Sequence, residues 1–185
     1  MSKPIISVIG DRNIPEGSEK WNLAVSLGRR LIDDGYRILS GGIGSLPRAL
    51  SVGGRKSSNY TDGDIIAILP GFDPKVAEGV ADIVIASGLD EFRNLIVANG
   101  NAVVAMGGGA GTLSELAFAW SLKRLVICYR VKGWSSDLAG KRLDARIRYA
   151  NIPDDKLYPA ENETDVSEIL KSKLELYNRR HTSIR

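Results

Sequence analysis

The 185-residue sequence predicts an α/β protein with a doubly wound, mostly parallel, Rossmann-like sheet and helices on both faces. Three observations carry this expectation. Short apolar, β-rich runs alternate with helix-period segments along the chain. The runs are continuously apolar, as in parallel strands covered on both faces, rather than alternating. Glycines, 20 against 7 prolines, gather just after those runs, where a strand turns into its crossover.

Ile5 to Ile9 reads as the first strand. Trp21, Ala24, Val25, Gly28, Leu31 and Ile32 then recur at helical spacing between Ser18 and Asp34-Gly35, which predicts a capped amphipathic helix. Tyr36 to Leu39 is the second strand, and a helix follows over Leu46 to Val52. The polar stretch from Gly53 to Asp64 carries little periodicity and reads as a mobile, ligand-gated loop. Ile65 to Leu69 and Ile83 to Ile85 are the third and fourth strands, with a helix from Glu91 to Ala98 after them. Ala102 to Met106 is the fifth strand, leading to a helix from Leu113 to Leu122, and Leu125 to Tyr129 is the sixth. A last helix covers Val166 to Tyr177. All six strands are expected to be buried on both faces. With no repeat and no linker, residues 1–178 read as a single nucleotide-binding domain, followed by a basic tail at 179–185.

Composition narrows the function. The net charge of +3 draws on Arg179, Arg180 and Arg185 in the tail, and basic and aromatic residues do not cluster elsewhere, so nucleic acid is a disfavoured partner. The single His181 lies in the same tail, which argues against a zinc site and a Ser-His-Asp triad, and no metal is expected. Cys128 has no partner for a disulfide and sits inside an apolar run, where it acts as a small hydrophobe. No apolar run reaches about 18 residues, so a cytoplasmic protein without a membrane partner is expected.

The sharpest local feature is Ala102-Val103-Val104-Ala105-Met106 running through Gly107-Gly108-Gly109-Ala110-Gly111-Thr112 into Leu113-Ser114-Glu115-Leu116. A strand entering a helix through glycines lets backbone amides approach an anion without Cβ clashes, and the helix dipole favours negative charge there. Gly10-Asp11-Arg12 and Ser40-Gly41-Gly42-Ile43-Gly44-Ser45 should converge on the same sheet edge, where open α/β sheets bind ligands. The spacing fits neither a Walker loop nor a dinucleotide fingerprint. Phosphate is the expected guest, and no required cofactor follows.

Glu115 has two readings. Thr112-x-x-Glu115 matches a capping box, and the same carboxylate could sit beside a bound ribose as hydrogen-bond acceptor or general acid/base. Arg93 likewise is either a helical salt-bridge partner of Asp90 or a planar fork for a phosphate.

Taken with Gly88-Leu89-Asp90-Glu91-Phe92-Arg93-Asn94, Ile65 to Gly71 and Gly133-Trp134 through Lys141, these motifs resemble the LOG-like (SLOG) Rossmann superfamily, once labelled lysine decarboxylases. The likeness is greatest to its molybdenum-cofactor-carrier-like branch. It implies a pocket built from Gly10, Gly41, Gly42, Gly44, Gly71, Arg93, Asn94, Gly107, Gly108, Gly109, Gly111, Thr112 and Glu115, and a homo-oligomer. The ligand it implies is a phosphorylated small molecule, an AMP-like nucleotide or molybdenum cofactor. The superfamily's phosphoribohydrolases split nucleoside monophosphates into base and ribose phosphate, which would make Arg93 and Glu115 catalytic. Asn94 and Met106, however, stand where those enzymes carry a lysine and the proline that opens their glycine motif. A more distant likeness to DNA-processing protein A adds single-stranded DNA as a third reading.

Overall fold

The computed structural model describes residues 2–178, so the expected basic tail at 179–185 lies outside the described residues. Its strands are β1 (Ile5–Gly10), β2 (Arg37–Ser40), β3 (Ile65–Leu69), β4 (Ile83–Ala86), β5 (Ala102–Met106), β6 (Leu125–Tyr129) and β7 (Tyr158–Ala160). They form one seven-stranded sheet in the order β4-β3-β2-β1-β5-β6-β7, and every pairing is parallel. The α/β Rossmann-like architecture is therefore the observed one.

The helices are α1 (Glu19–Asp33), α2 (Ser45–Gly54), α3 (Asn94–Val97), α4 (Ala110–Ser121), α5 (Trp134–Leu138) and α6 (Glu163–Lys173). Period-2 side-chain alternation splits the core between the two sheet faces. Ala102, Val104 and Met106 of β5 pack with residues of α1, α2 and α6, whereas Val103 and Ala105 pack with Val97, Leu116, Ala119 and Trp120 of α3 and α4. Ser18 caps α1 by accepting from the Trp21 amide at 3.3 Å. α1 and α2 approach backbone to backbone: an ideal Cβ at Gly28 would fall 2.2 Å from the Leu50 carbonyl oxygen, and one at Gly53 would fall 1.8 Å from that of Val25. Any side chain at either position would force the pair apart.

Three expectations are corrected. β4 is not buried on both faces: Ile83 and Ile85 remain 44% and 49% exposed. The crossovers on either side of β4 are short, a 3-10 turn at Pro74–Ala77 and another at Asp90–Arg93 that runs into the single turn of α3, so no long helix covers this edge. The stretch from Gly53 to Asp64 is no ligand gate. Gly53 and Gly54 end α2, and the rest is pinned: Asp64 accepts from the Thr61 amide and hydroxyl and from Lys3, while Asp82 accepts from the Gly63 amide. It also precedes β3, at the amino edge of the sheet, whereas ligands bind at the carboxyl edge. Finally, β7 and α5 were not expected. Tyr158-Pro159-Ala160 is too short to show a pattern, and Trp134-Ser135-Ser136-Asp137-Leu138 is mostly polar.

Candidate functional site

β1 pairs with β2 on one side and with β5 on the other, so successive strands leave it in opposite directions. Loops diverge at such a switch point and leave a crevice at the carboxyl edge. A cavity of about 400 Å³ lies there, walled by the end of β1 with Asp11 and Arg12, by Gly41, Ile43, Leu46 and Pro47 after β2, by Pro70 after β3, by Asp90, Glu91, Arg93 and Asn94 after β4, and by Gly109, Gly111, Thr112 and Glu115 at the start of α4. Its size suits a mononucleotide-sized ligand.

The amino end of α4 supplies the donors. Gly109 is its N-cap, no side chain caps this end, and first-turn amides have no acceptor within their own helix. Ideal Cβ atoms at Gly109 and Gly111 would meet nothing within 4 Å, so both positions open onto free space. The capping-box reading of Thr112 and Glu115 fails because the helix begins three residues earlier than expected. Thr112 sits inside the first turn, and its hydroxyl donates to the Gly10 carbonyl at 3.2 Å, tying α4 to β1.

Glu115 lines the cavity with its side chain only 9% exposed, and it pairs with Arg93, whose Nη1 lies 3.6 Å from Oε1. Arg93 arrives from the loop after β4, which turns at Asp90 in the left-handed region (φ 50°). Its guanidinium lies against Gly41, where an ideal Cβ would fall 2.3 Å from Nη1. That Nη1 is buried and has no hydrogen-bond partner. A buried donor without an acceptor is costly, and an acceptor on a ligand would offset the loss. Asn94 donates to Glu91 and to the Ser114 hydroxyl, both at 3.0 Å, so it braces the wall between the loop and α4.

Burial pushes the Glu115 carboxyl up to about 7, against the pull of Arg93 and with a further push from Glu91. Folding therefore favours the protonated form. The stability this contributes is fully present below the ordinary value of 4.5 and is lost as pH rises through about 7. The span corresponds to roughly 3 kcal/mol. Urea unfolding of the free protein between pH 4.5 and 8 should show this decline with pH, and Glu115→Gln should flatten it. An equally steep decline in the glutamine variant would assign the effect elsewhere.

Of the residues nominated from sequence, Gly10, Gly41, Arg93, Asn94, Gly109, Gly111, Thr112 and Glu115 line the cavity together. Gly42, Gly44, Gly71, Gly107 and Gly108 lie off its wall. Gly42 is packed against Ala67 and Leu69, Gly44 caps α2 against Arg12, and Gly71 follows the wall residue Pro70. The amides of Gly107 and Gly108 are taken by the Ser135 hydroxyl at 2.7 Å and by Asp11 Oδ1 at 2.8 Å. Arg12, Asp90 and Glu91 on the wall were not nominated, although each adjoins a motif residue. Among the described residues no group of three or more His, Cys, Asp or Glu side chains could hold a metal ion, and no helix is long and apolar enough to cross a membrane.

Residues 3–157 match the model of the SLOG cluster4 family. The chain belongs to this family. A protein of Archaeoglobus fulgidus is 35% identical over 115 residues, covering 62% of this chain and 72% of its own. Among solved structures, the molybdenum cofactor binding protein of Rippkaea orientalis superposes with a TM-score of 0.73 at 28% identity, covering 93% of this chain and 98% of that one. The molybdenum cofactor carrier protein of Chlamydomonas reinhardtii superposes at 0.69 and 24% identity, covering 94% and 99%, and shows the shared fold. The chain is thus a SLOG family member with molybdenum-cofactor-carrier-like neighbours.

Proposed function

We propose that this SLOG protein binds a phosphate-bearing, nucleotide-like small molecule in the switch-point cavity and acts as its carrier. The observation that carries the reading is that Arg93, whose buried Nη1 has no hydrogen-bond acceptor, lines the same cavity as the uncapped amino end of α4. The α4 amides and the Arg93 fork are donor groups of the kind that hold phosphate. Glu115, nine-tenths buried and 3.6 Å from Arg93 Nη1, would accept from a ligand hydroxyl or amine. Molybdenum cofactor is the favoured ligand within this class, because the Rippkaea orientalis neighbour is a molybdenum cofactor binding protein. Calorimetric titration with AMP, a pterin phosphate and molybdenum cofactor tests the reading. Saturable binding of at least one is expected, and no affinity for any of them, or for inorganic phosphate, would overturn it.

One observation favours a second reading, hydrolysis of a nucleoside 5′-monophosphate. A carboxyl held at about 7 beside an arginine is suited to proton transfer near neutral pH. Release of free adenine from AMP, abolished in Glu115→Gln, is the expected result of that chemistry, and no turnover across several monophosphates would remove it. The expected homo-oligomer is assigned to the bare edge at β4, where Ile83, Ile85, Leu89 and Phe92 are 44%, 49%, 44% and 83% exposed. Sedimentation of a monomer at micromolar concentration would contradict this.

A further inference from the structure

The glycine loop after β5 is not wholly open to a ligand, because a side chain of the chain itself already occupies part of it. Asp11, the first residue beyond β1, accepts from the Gly108 amide at 2.8 Å through Oδ1 and pairs through Oδ2 with Lys20 of α1. Lys20 is held in turn by the Lys132 carbonyl at 3.1 Å. Gly107 and Gly108 are in the left-handed region, at φ 70° and 96°, which turns the Gly108 amide toward Asp11. The fit is close: an ideal Cβ at Gly107 would fall 2.3 Å from Asp11 Oδ2 and 2.7 Å from Lys20 Nζ. Yet Asp11 also lines the cavity, and its side chain is 29% exposed.

The amide cradle is thereby split. Its downstream half, the first turn of α4, is open. Its upstream half holds an internal carboxylate with its own counter-ion. A ligand with one phosphate needs only the downstream half, together with Arg93. A second phosphoryl group on the upstream side would meet Asp11 on the cavity wall, and the donors behind it are the Gly108 amide and Lys20. Both are taken, and the group taking them is itself an anion. Juxtaposed like charges are a strong device against the wrong partner.

We propose that Asp11 is a specificity-determining residue, a resident anion on the glycine loop that limits the site to ligands carrying a single phosphate and excludes diphosphates. The proposal rests on the phosphate-binding reading above and adds to it the class of phosphate accepted. A purely structural role, in which Asp11 only ties the β1 loop to the β5 loop, predicts no effect on the choice between ligands.

The test is calorimetric titration of AMP, ADP and inorganic phosphate, without divalent cations, into the wild type, Asp11→Asn, Asp11→Ala and Glu161→Gln. The wild type should prefer AMP over ADP by about tenfold or more, and Asp11→Ala, which frees the Gly108 amide and Lys20, should lower that preference by about tenfold. Asp11→Asn keeps an acceptor for Gly108 but loses the charge, so its preference should fall between the two. Glu161→Gln removes an exposed carboxylate that does not line the cavity and should leave the preference within about twofold. Equal affinity of the wild type for AMP and ADP would overturn the proposal, as would an Asp11→Ala variant in which both nucleotides change alike. Circular dichroism checks folding, and if the alanine variant does not fold, an unchanged preference in a folded Asp11→Asn overturns the proposal. Wild-type binding of AMP with no role for Asp11 defeats this inference alone. Absence of binding by AMP, ADP and phosphate alike defeats the phosphate-site reading and this inference with it.

Discussion

Arg93→Ala is expected to weaken AMP binding about 100-fold, close to 3 kcal/mol, which is within the range for a hydrogen bond to a charged group. The guanidinium has few other roles. It lies flat against Gly41, stands 3.6 Å from Glu115 and keeps a buried Nη1 unbonded. Its loss should therefore appear in ligand binding rather than in unfolding. Arg93→Lys should recover only part of the affinity, because a single ammonium cannot reproduce a planar fork. Gly41→Ala provides an independent check, since its new Cβ would displace the guanidinium without removing the charge. Titration calorimetry reads all three. Affinities within about threefold of wild type for both Arg93→Ala and Gly41→Ala would place the phosphate elsewhere.

Asp155→Ala is expected to destabilise the fold by about 3–5 kcal/mol, a large share of a typical domain's 5–15 kcal/mol. Arg148 and Asp155 form a forked pair at 2.5 and 2.8 Å with side chains 4% and 1% exposed. The Tyr177 hydroxyl also donates to Asp155, at 2.7 Å. Removing the carboxylate strands a buried cation and a buried hydroxyl together. The pair bears on the site as well. Arg148 lies 3.5 Å from the Trp120 ring and donates to the Trp120 carbonyl at 3.1 Å, at the carboxyl end of α4. A cation there complements the dipole of the helix whose other end opens onto the cavity. Glu161→Ala, which breaks an exposed pair with Arg130 at 3.2 Å, should shift stability by less than about 1 kcal/mol. Urea midpoints compare the two, and equal effects would show that the buried pair is no anchor.

How much was legible follows from the range of the interactions involved. β3, β5 and β6 fall where their apolar runs place them, because a strand buried on both faces must be continuously apolar. The starts of α4 and α6 were set three residues late, because Ala110-Gly111-Thr112 and Glu163-Thr164-Asp165 carry no apolar periodicity, and only the caps mark them. At the site, the glycine loops do point to the cavity, but their glycines are not equivalent. Gly109 and Gly111 open onto it, whereas Gly107 and Gly108 are occupied by Ser135 and Asp11. The Asp11 contact spans 97 positions along the chain, and no local pattern encodes it. Arg93 and Glu115 were nominated by motif, yet their mutual approach depends on how the loop after β4 folds back onto α4.

Amide chemical shifts during titration with inorganic phosphate and then AMP would test the central arrangement most directly. The Ala110, Gly111 and Thr112 amides should move saturably, together with the Arg93 side chain, while Gly107 and Gly108, already hydrogen-bonded within the protein, should move little. Shifts confined to other loops, or none at the start of α4 at saturating ligand, would contradict the account.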